Sequence, residues 1–462
     1  MFFLKNKIKI LLFLLILALL SITVKNIKKN YDIKSNQVEF LTDSLNIKKL
    51  QILNVQQKLL DKDISLEEII TNKGFKFYKT SKKKIKSKKK NYFLTEYSSS
   101  DLIYGKHPDA SSSAYIDYFD DKFFLITATG NLSYVNIDDL NNDSIILMNK
   151  IKTNINEIIK YFAFYTQSTF GIKDLLIYED NIYISYTNQL YKDCYNTSIL
   201  VAKLSFENVK FDDFFEPSNC IKKNSEEFNA HQSGGRMFGK NQKIFFTTGE
   251  FRNRLLAQKE DNTFGKILSI DINTKDSEII SLGHRNPQGL IFHNNLLILS
   301  EHGPDGGDEI NIIDMSKINK ENIPNFGWPI ASYGNHYFEK KNDPRLKSSP
   351  LFKSHKKYGY IEPIKYFVPS VGTSQIINVP KKFNNYKNNN QYFLGTLGNG
   401  KRIENGSLSL FHFELNDNNK ISNEYFIKIH SRVRDLIYIE KINKVVMFLE
   451  TNSSLGILSL KN

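Results

Sequence analysis

"GLIFHNNLLILSEHG", residues 289–303, sets two apolar runs either side of an Asn-Asn pair and closes on Glu-His-Gly. Short apolar runs joined by two turn formers spell a β-hairpin. The same plan recurs as "DLLIYEDNIYISYTN" (174–188), "GGRMFGKNQKIFFTTGE" (234–250) and "RDLIYIEKINKVVMFLE" (434–450). Looser copies are "YIDYFDDKFFLITATG" (115–130) and "SQIINVPKKFNNYKNNNQYFLGTLG" (374–398). A third apolar segment follows each hairpin, such as "GKILSIDI" after residue 264 or "DEINIID" after residue 307. Six copies thus begin near residues 115, 174, 235, 289, 374 and 434, with an insertion at 315–372 stretching one interval. One copy alone is a small twisted sheet with two faces to bury. Six copies packed round an axis bury one another's faces and leave few open edges. The pattern predicts an all-β fold, a six-bladed β-propeller over residues 101–462.

Composition agrees: 34 Phe and 24 Tyr in 462 residues favour strands. The formal net charge of +14 invites a nucleic-acid reading until it is located. Residues 1–100 hold 21 Lys against 8 acidic residues, so the propeller region is nearly neutral and offers no basic stripe. That excludes nucleic acid as the expected partner. The excess is densest in "KKKIKSKKK" (82–90), read as a solvated linker, with contact to anionic lipid headgroups as the second reading. Lys5, Lys7 and Lys9 precede the apolar run 10–24, the order of an export signal, and no small-x-small cleavage site follows. The expectation is an uncleaved N-terminal membrane anchor over residues 1–29, then a short helical spacer and Lys-rich linker over 30–100. Such an anchor would hold the propeller at the periplasmic face of a bacterial inner membrane. Cys194 and Cys220 read as one disulfide in an exported chain.

The polar clusters fall at equivalent places in the repeat. "AHQSGGR" (230–236), "GHRNPQG" (283–289), "VPSVGTS" (368–374) and "RVRD" (432–435) each lead into a hairpin. In a propeller such lead-ins reach the innermost strands from one end, which gathers them around one mouth of the axial channel. "SEHGPDGGDE" (300–309) can return to that mouth. Arg285, Arg432 and Arg434, from separate blades, suit a ligand with several carboxylates, which guanidinium forks bind in pairs. Asp308 and Glu309 beside a carbonyl-rich turn suit a hard cation such as Ca²⁺. His231 and His284 suit a general base. Singly, each has a bland reading: Arg434–Asp435 as a structural pair, the Gly-rich turn as hairpin geometry. Four clusters in register favour a site.

In their order along the chain, "AHQSGGR", "GHRNPQGL", "EHGPDGGDEINII", "NFGWP", "YGNHY", "VPSVGTS" and "RVRDL" resemble the glucose/sorbosone dehydrogenase family, the soluble-type aldose sugar dehydrogenases that use pyrroloquinoline quinone (PQQ). The resemblance spans about residues 165–460 and implies a six-bladed propeller that oxidises a sugar or related alcohol and passes electrons to a respiratory acceptor. It implies that His231 is the catalytic base toward the sugar C1 hydroxyl. It makes Arg285, Asn286, Arg432 and Arg434 cofactor contacts and Tyr337 a wall of the cofactor pocket, with Trp328 packing behind. Gly303 and Pro304 would give backbone carbonyls to Ca²⁺, and Glu309 with the Phe326 carbonyl would form a second, structural Ca²⁺ site. Glu250, Gln258 and Gln167 stand where relatives touch substrate. The chain departs from the family at Gly398, where some members carry Lys, and at Glu250, where Asp is expected. Two other readings stay open: a non-catalytic propeller binding a glycan or protein partner, and a Ca²⁺-dependent hydrolase of lactonase type.

Overall fold

The computed structural model describes residues 74–87, 90–102, 112–224, 227–318, 321–337, 345–384, 390–398 and 400–460. The expected anchor (1–29) and the spacer up to residue 73 lie outside them. Among the described residues no helix is long and apolar enough to cross a membrane.

Among the described residues six sheets, antiparallel except where Asn208–Val209 runs parallel to the outer strand of blade 1, form six blades. Their innermost strands are Ala114–Phe119, Ile172–Tyr178, Gly234–Lys240, Pro287–His293, Thr373–Asn378 and Val433–Ile439 in blades 1 to 6. These begin within a few residues of the six repeat starts. Each inner strand touches the next, and the last returns to the first, so the ring closes. The turn chemistry explains the hairpins. Glu179-Asp180, Asn241-Gln242 and Asn294-Asn295 join the first two strands of blades 2, 3 and 4, with positive φ at both residues. Two left-handed residues in succession give the tight turn whose twist matches the strands it joins.

Apolar side chains pack between blades. Phe245 and Ile267 of blade 3 meet Leu290, Leu297 and Leu299 of blade 4 in one buried cluster. Each such side chain contributes about 1.5–3 kcal/mol by leaving water. Polar links run closer to the axis. Asp117 Oδ2 accepts from the Ile177 N–H (2.6 Å), Asp174 Oδ2 from Met237 (2.7 Å) and Asp435 Oδ2 from Ile116 (2.8 Å). Each carboxylate therefore holds the inner strand of the next blade. Arg236, fully buried, donates to both Asp174 and Asp435 at 2.8 Å. Asp435 thus pairs with Arg236 across the axis, and the local Arg434–Asp435 pair considered from sequence does not form.

The chain ends are where the sequence reading needs correction. Residues 76–86 and 91–98 are strands rather than linker. Lys76–Lys86 and Asn91–Ser98 form a hairpin whose second strand lies against Ser454–Leu460, from Tyr92 opposite Leu460 to Ser98 opposite Ser454. The propeller therefore starts near residue 76, and its first strands complete its last blade. A lysine-rich strand survives here because its outer side, paired with Ile145–Leu147 at Lys76–Tyr78, has no partner strand beyond Tyr78 among the described residues. Its stems cover the sheet while the ammoniums stay in water, which also guards the edge against pairing with other chains. Lys83 meets Glu96 at 2.5 Å. The expected disulfide is present: Cys194 and Cys220, with Cα atoms 5.4 Å apart, tie the third strand of blade 2 to the segment that follows it.

Candidate active site

One mouth of the ring opens into a cavity of about 720 Å³. His231, Arg285, Asn286, Arg432 and Arg434 all line it, as do Gly303, Pro304 and Tyr337. Residues up to two hundred positions apart in sequence are gathered because each lead-in enters its inner strand from this end.

His231 is exposed at the rim, on the short helical turn Ala230–Gln232. The Asn229 side chain caps that turn by accepting from the His231 N–H at 2.9 Å, which fixes how the ring is presented. Arg285 is buried and heavily tethered. Its backbone N–H donates to Glu301 Oε2 (2.8 Å), Nη1 donates to the His302 carbonyl (3.0 Å), and its guanidinium lies 5.3 Å from the centre of the Trp328 ring. The Gln232 amide, oriented to suit its neighbours, accepts from Arg285 Nη2 (2.9 Å) and donates to Glu250 Oε1 (2.5 Å). His302 donates from Nε2 to the Thr373 carbonyl (2.6 Å), leaving Nδ1 to accept from Asn286 Nδ2 at 3.5 Å.

Arg432 and Arg434 share one buried carboxylate. Glu450 Oε2 accepts from Arg432 Nε (3.0 Å), and Oε1 accepts from Arg434 Nε (2.6 Å) and Ser113 Oγ (2.5 Å). Burial alone would raise the Glu450 carboxyl. Arg434 and then Arg432 outweigh it and hold it down at about 2.

Several expectations shift. His284 is fully buried, with Nδ1 on Glu301 (2.9 Å) and Nε2 on Ser281 (2.7 Å), so it cannot reach a substrate. It positions Glu301 and through it Arg285. Glu250 is buried behind Gln232, its carboxyl pushed up to about 8 by burial against the pull of Arg285. Gln258 donates to the Trp328 carbonyl (2.6 Å) and accepts from Asn325 (2.8 Å), so it ties down the loop carrying Trp328. Gln167 is exposed at the end of the turn Phe162–Thr166, two positions before Thr169, which does line the cavity. None of these three expected substrate residues forms the cavity wall.

The expected second Ca²⁺ site does not fit. His355 stands between its two ligands, donating from Nδ1 to the Phe326 carbonyl (2.9 Å) with Nε2 3.3 Å from Glu309 Oε1. Burial would lower the His355 imidazole, but Glu309 outweighs it and the net shift is upward. A protein imidazole, pushed toward its charged form by Glu309, thus faces the two oxygens expected to meet a metal. Asp308 is no ligand either, because its carboxylate already accepts from Gly303 N, Ser370 Oγ, Val371 N and Gly372 N. Among the described residues no three acidic, His or Cys side chains are grouped to hold a metal. At the mouth, Gly303 and Pro304 can give carbonyl oxygens to Ca²⁺, and the rest of its six to eight ligands would have to come from bound molecules.

The donors suit a flat polyanion. Arginines from blades 4 and 6 converge, and the buried Arg285 Nε has no hydrogen-bond partner among the described residues. A buried guanidinium donor left unpaired is costly, so it points to a missing acceptor. The sequence reading passed over Glu301 and Glu450, although a signal was there. The hairpins quoted for blades 3, 4 and 6 all carry Glu at or just after their second strand, at residues 250, 301 and 450. Glu301 and Glu450 hold arginines of the mouth directly, and Glu250 reaches Arg285 through Gln232.

The model of the glucose/sorbosone dehydrogenase family matches residues 118–456. The chain belongs to that family. It is 33% identical over 188 residues to the aldose sugar dehydrogenase YliI of Escherichia coli, covering 36% of this chain and 48% of that protein. It is 37% identical over 135 residues to quinoprotein glucose dehydrogenase B of Acinetobacter calcoaceticus, covering 22% of this chain and 27% of that one. The chain therefore spans about half the length, or less, of these curated relatives. Among solved structures, the soluble aldose sugar dehydrogenase of Escherichia coli in its apo-form superposes with a TM-score of 0.57 at 20% identity, over 80% of this chain and 99% of that one. The PQQ-bound aldose sugar dehydrogenase of Streptomyces coelicolor gives 0.52 at 14% identity, over 80% and 98%. At such identities these two show that the family fold is shared.

Proposed function

We propose that this protein oxidises an aldose sugar or related alcohol with PQQ and passes the electrons to a respiratory acceptor. The observation that carries the reading is the convergence of Arg285, Arg432, Arg434 and His231 on one cavity. Family membership and the PQQ-bound neighbour support it. When bound, PQQ supplies an electrophilic carbon that accepts hydride, and a Ca²⁺ held by the Gly303 and Pro304 carbonyls would stabilise the charge that develops. The chain's own residues do the rest. Arg432 and Arg434, braced by Glu450, fix the carboxylates of the ring system. Arg285, clamped by Glu301 and His302, leaves its buried Nε without a hydrogen-bond partner among the described residues. Asn286 is held by His302 and by the Gly234 N–H (3.1 Å), so its amide is preset. His231 at the open rim takes the hydroxyl proton as hydride leaves the same carbon. Tyr337, 47% exposed with Arg252 over its ring at 5.7 Å, walls the entrance.

The disulfide and the signal-like N-terminus support an exported protein held at the periplasmic face of the inner membrane. The test is reconstitution with PQQ and Ca²⁺ followed by dye-linked oxidation across a panel of aldoses and alcohols. Activity with at least one of them is expected, and His231→Ala should lower it at least about a hundredfold. Full activity in that variant would remove His231 from the role. No oxidation and no PQQ binding would turn the reading toward a binding module.

A further inference from the structure

Lys173 lies in the innermost strand of blade 2, where a lysine is a costly choice. It is 8% exposed, yet it lines the cavity. Two features direct it there. Its Nζ donates to the Thr169 carbonyl at 2.6 Å, and Thr169 is itself part of the cavity wall. Its stem passes blade 3 at Gly235, where an added Cβ would lie 2.3 Å from Lys173 Cβ. Gly235 also has a φ of +116°, which side-chain-bearing residues avoid. The inner strand of blade 3, which begins just after the turn that carries His231, therefore supplies the space that lets Lys173 reach the mouth.

The charges around it define what it can do. Arg432 and Arg434 share one carboxylate, so blade 6 offers less net positive charge than two arginines suggest. Among the titratable and charged groups on the elements around Lys173 are Tyr115 and Asp117 of blade 1, Asp174 and Tyr178 on its own strand, Tyr183 and Tyr186 on the strand paired with it, His231, Arg236 and Lys240 of blade 3, and Arg434 with Glu450 of blade 6. Asp174 is bound to Arg236, and Glu450 to the two arginines of blade 6. Burial, then repulsion from Arg434, pull the Lys173 ammonium down to about 7. A carboxylate entering the cavity opposes both effects.

We propose that Lys173 is a further cofactor-binding residue, whose ammonium pairs with a carboxylate of the polyanionic quinone. This rests on the PQQ reading above. The free protein holds Lys173 largely neutral at pH 8, and ligand entry protonates it. Histidines of ordinary pKa are neutral at that pH and take up little. The experiment is isothermal titration of the full chain with PQQ and Ca²⁺ at pH 8, in two buffers of different ionisation enthalpy. The same titration is run on Lys173→Met, which keeps the stem. Wild-type binding with uptake of most of one proton is expected. Lys173→Met should bind about tenfold to a hundredfold more weakly, as for one lost charged hydrogen bond, and take up no proton. A lysine that merely anchors the Thr169 loop would leave the proton count unchanged. Should Lys173→Met fail to fold, wild-type uptake between pH 7.5 and 9 decides alone (roughly the range where histidine is silent). Tight wild-type binding without proton uptake, or a variant that binds equally well, overturns the role of Lys173 and leaves the PQQ reading intact. No wild-type binding of PQQ overturns both.

Discussion

Replacing Glu450 with Gln removes the one carboxylate that braces both arginines of blade 6 while keeping its volume. The structure sets the size of the effect. Glu450 is 1% exposed, accepts from Arg432, Arg434 and Ser113, and has its carboxyl held down at about 2 against an ordinary 4.5. That depression corresponds to about 3 kcal/mol of folding stability at neutral pH. The figure agrees with the roughly 3–5 kcal/mol that follows removal of one partner from a buried ion pair. Because the folded-state value is lowered, the contribution is fully present above the unfolded value and is lost as the pH falls from about 4.5 through about 2. Urea unfolding of wild type and Glu450→Gln from pH 7 down to pH 2 measures it. A gap of about 3 kcal/mol at pH 7 is expected, shrinking to a small fraction of that near pH 2, where wild-type Glu450 is itself half protonated. Equal stability at pH 7, or a gap that does not change with pH, would refute the claim that Glu450 binds both arginines as a buried anion.

Arg236→Met should leave Asp174 and Asp435 buried without their shared cation and cost about 3–5 kcal/mol in the same urea assay. Adding Asp174→Asn and Asp435→Asn should return part of that loss, and failure to do so would deny the axial role of the triad. Reducing the Cys194–Cys220 bond, whose partners are 26 residues apart, should cost about 3–4 kcal/mol by releasing the loop it closes. An unchanged denaturation midpoint after reduction would show that the bond adds nothing. The His231 and Lys173 variants described above complete the set.

The propeller was legible because its determinants are local. Alternating aromatic and β-branched residues around pairs such as Asn294-Asn295 dictate hairpins wherever they occur. The strand at 76–86 was hidden for the opposite reason. Its lysines carry no apolar periodicity beyond Phe77 and Ile85, and only pairing with Asn91–Ser98, which itself lies against the C-terminal strand Ser454–Leu460, makes it a strand. At the site, the lead-in motifs bring His231, Asn286 and the three arginines to one cavity because position in the repeat dictates the end of the propeller. Depth is not encoded that way. Glu250 and Gln258 share the mouth's sequence neighbourhood but face inward, and Lys173 is masked by the apolar residues around it. His355 comes from the insertion, whose fold no repeat predicts, so nothing warned that it would stand at the expected second cation site.

The central claim is that one opening of the ring gathers arginines from blades 4 and 6 and the His231 imidazole around a flat polyanion. A crystal structure of the protein soaked with PQQ tests it most directly. Ring-shaped density in the cavity, its carboxylates on Arg432 and Arg434 and its reactive edge beside His231, is the predicted result. Density on another surface, or a cavity that stays free of the cofactor at saturating concentration, would contradict it.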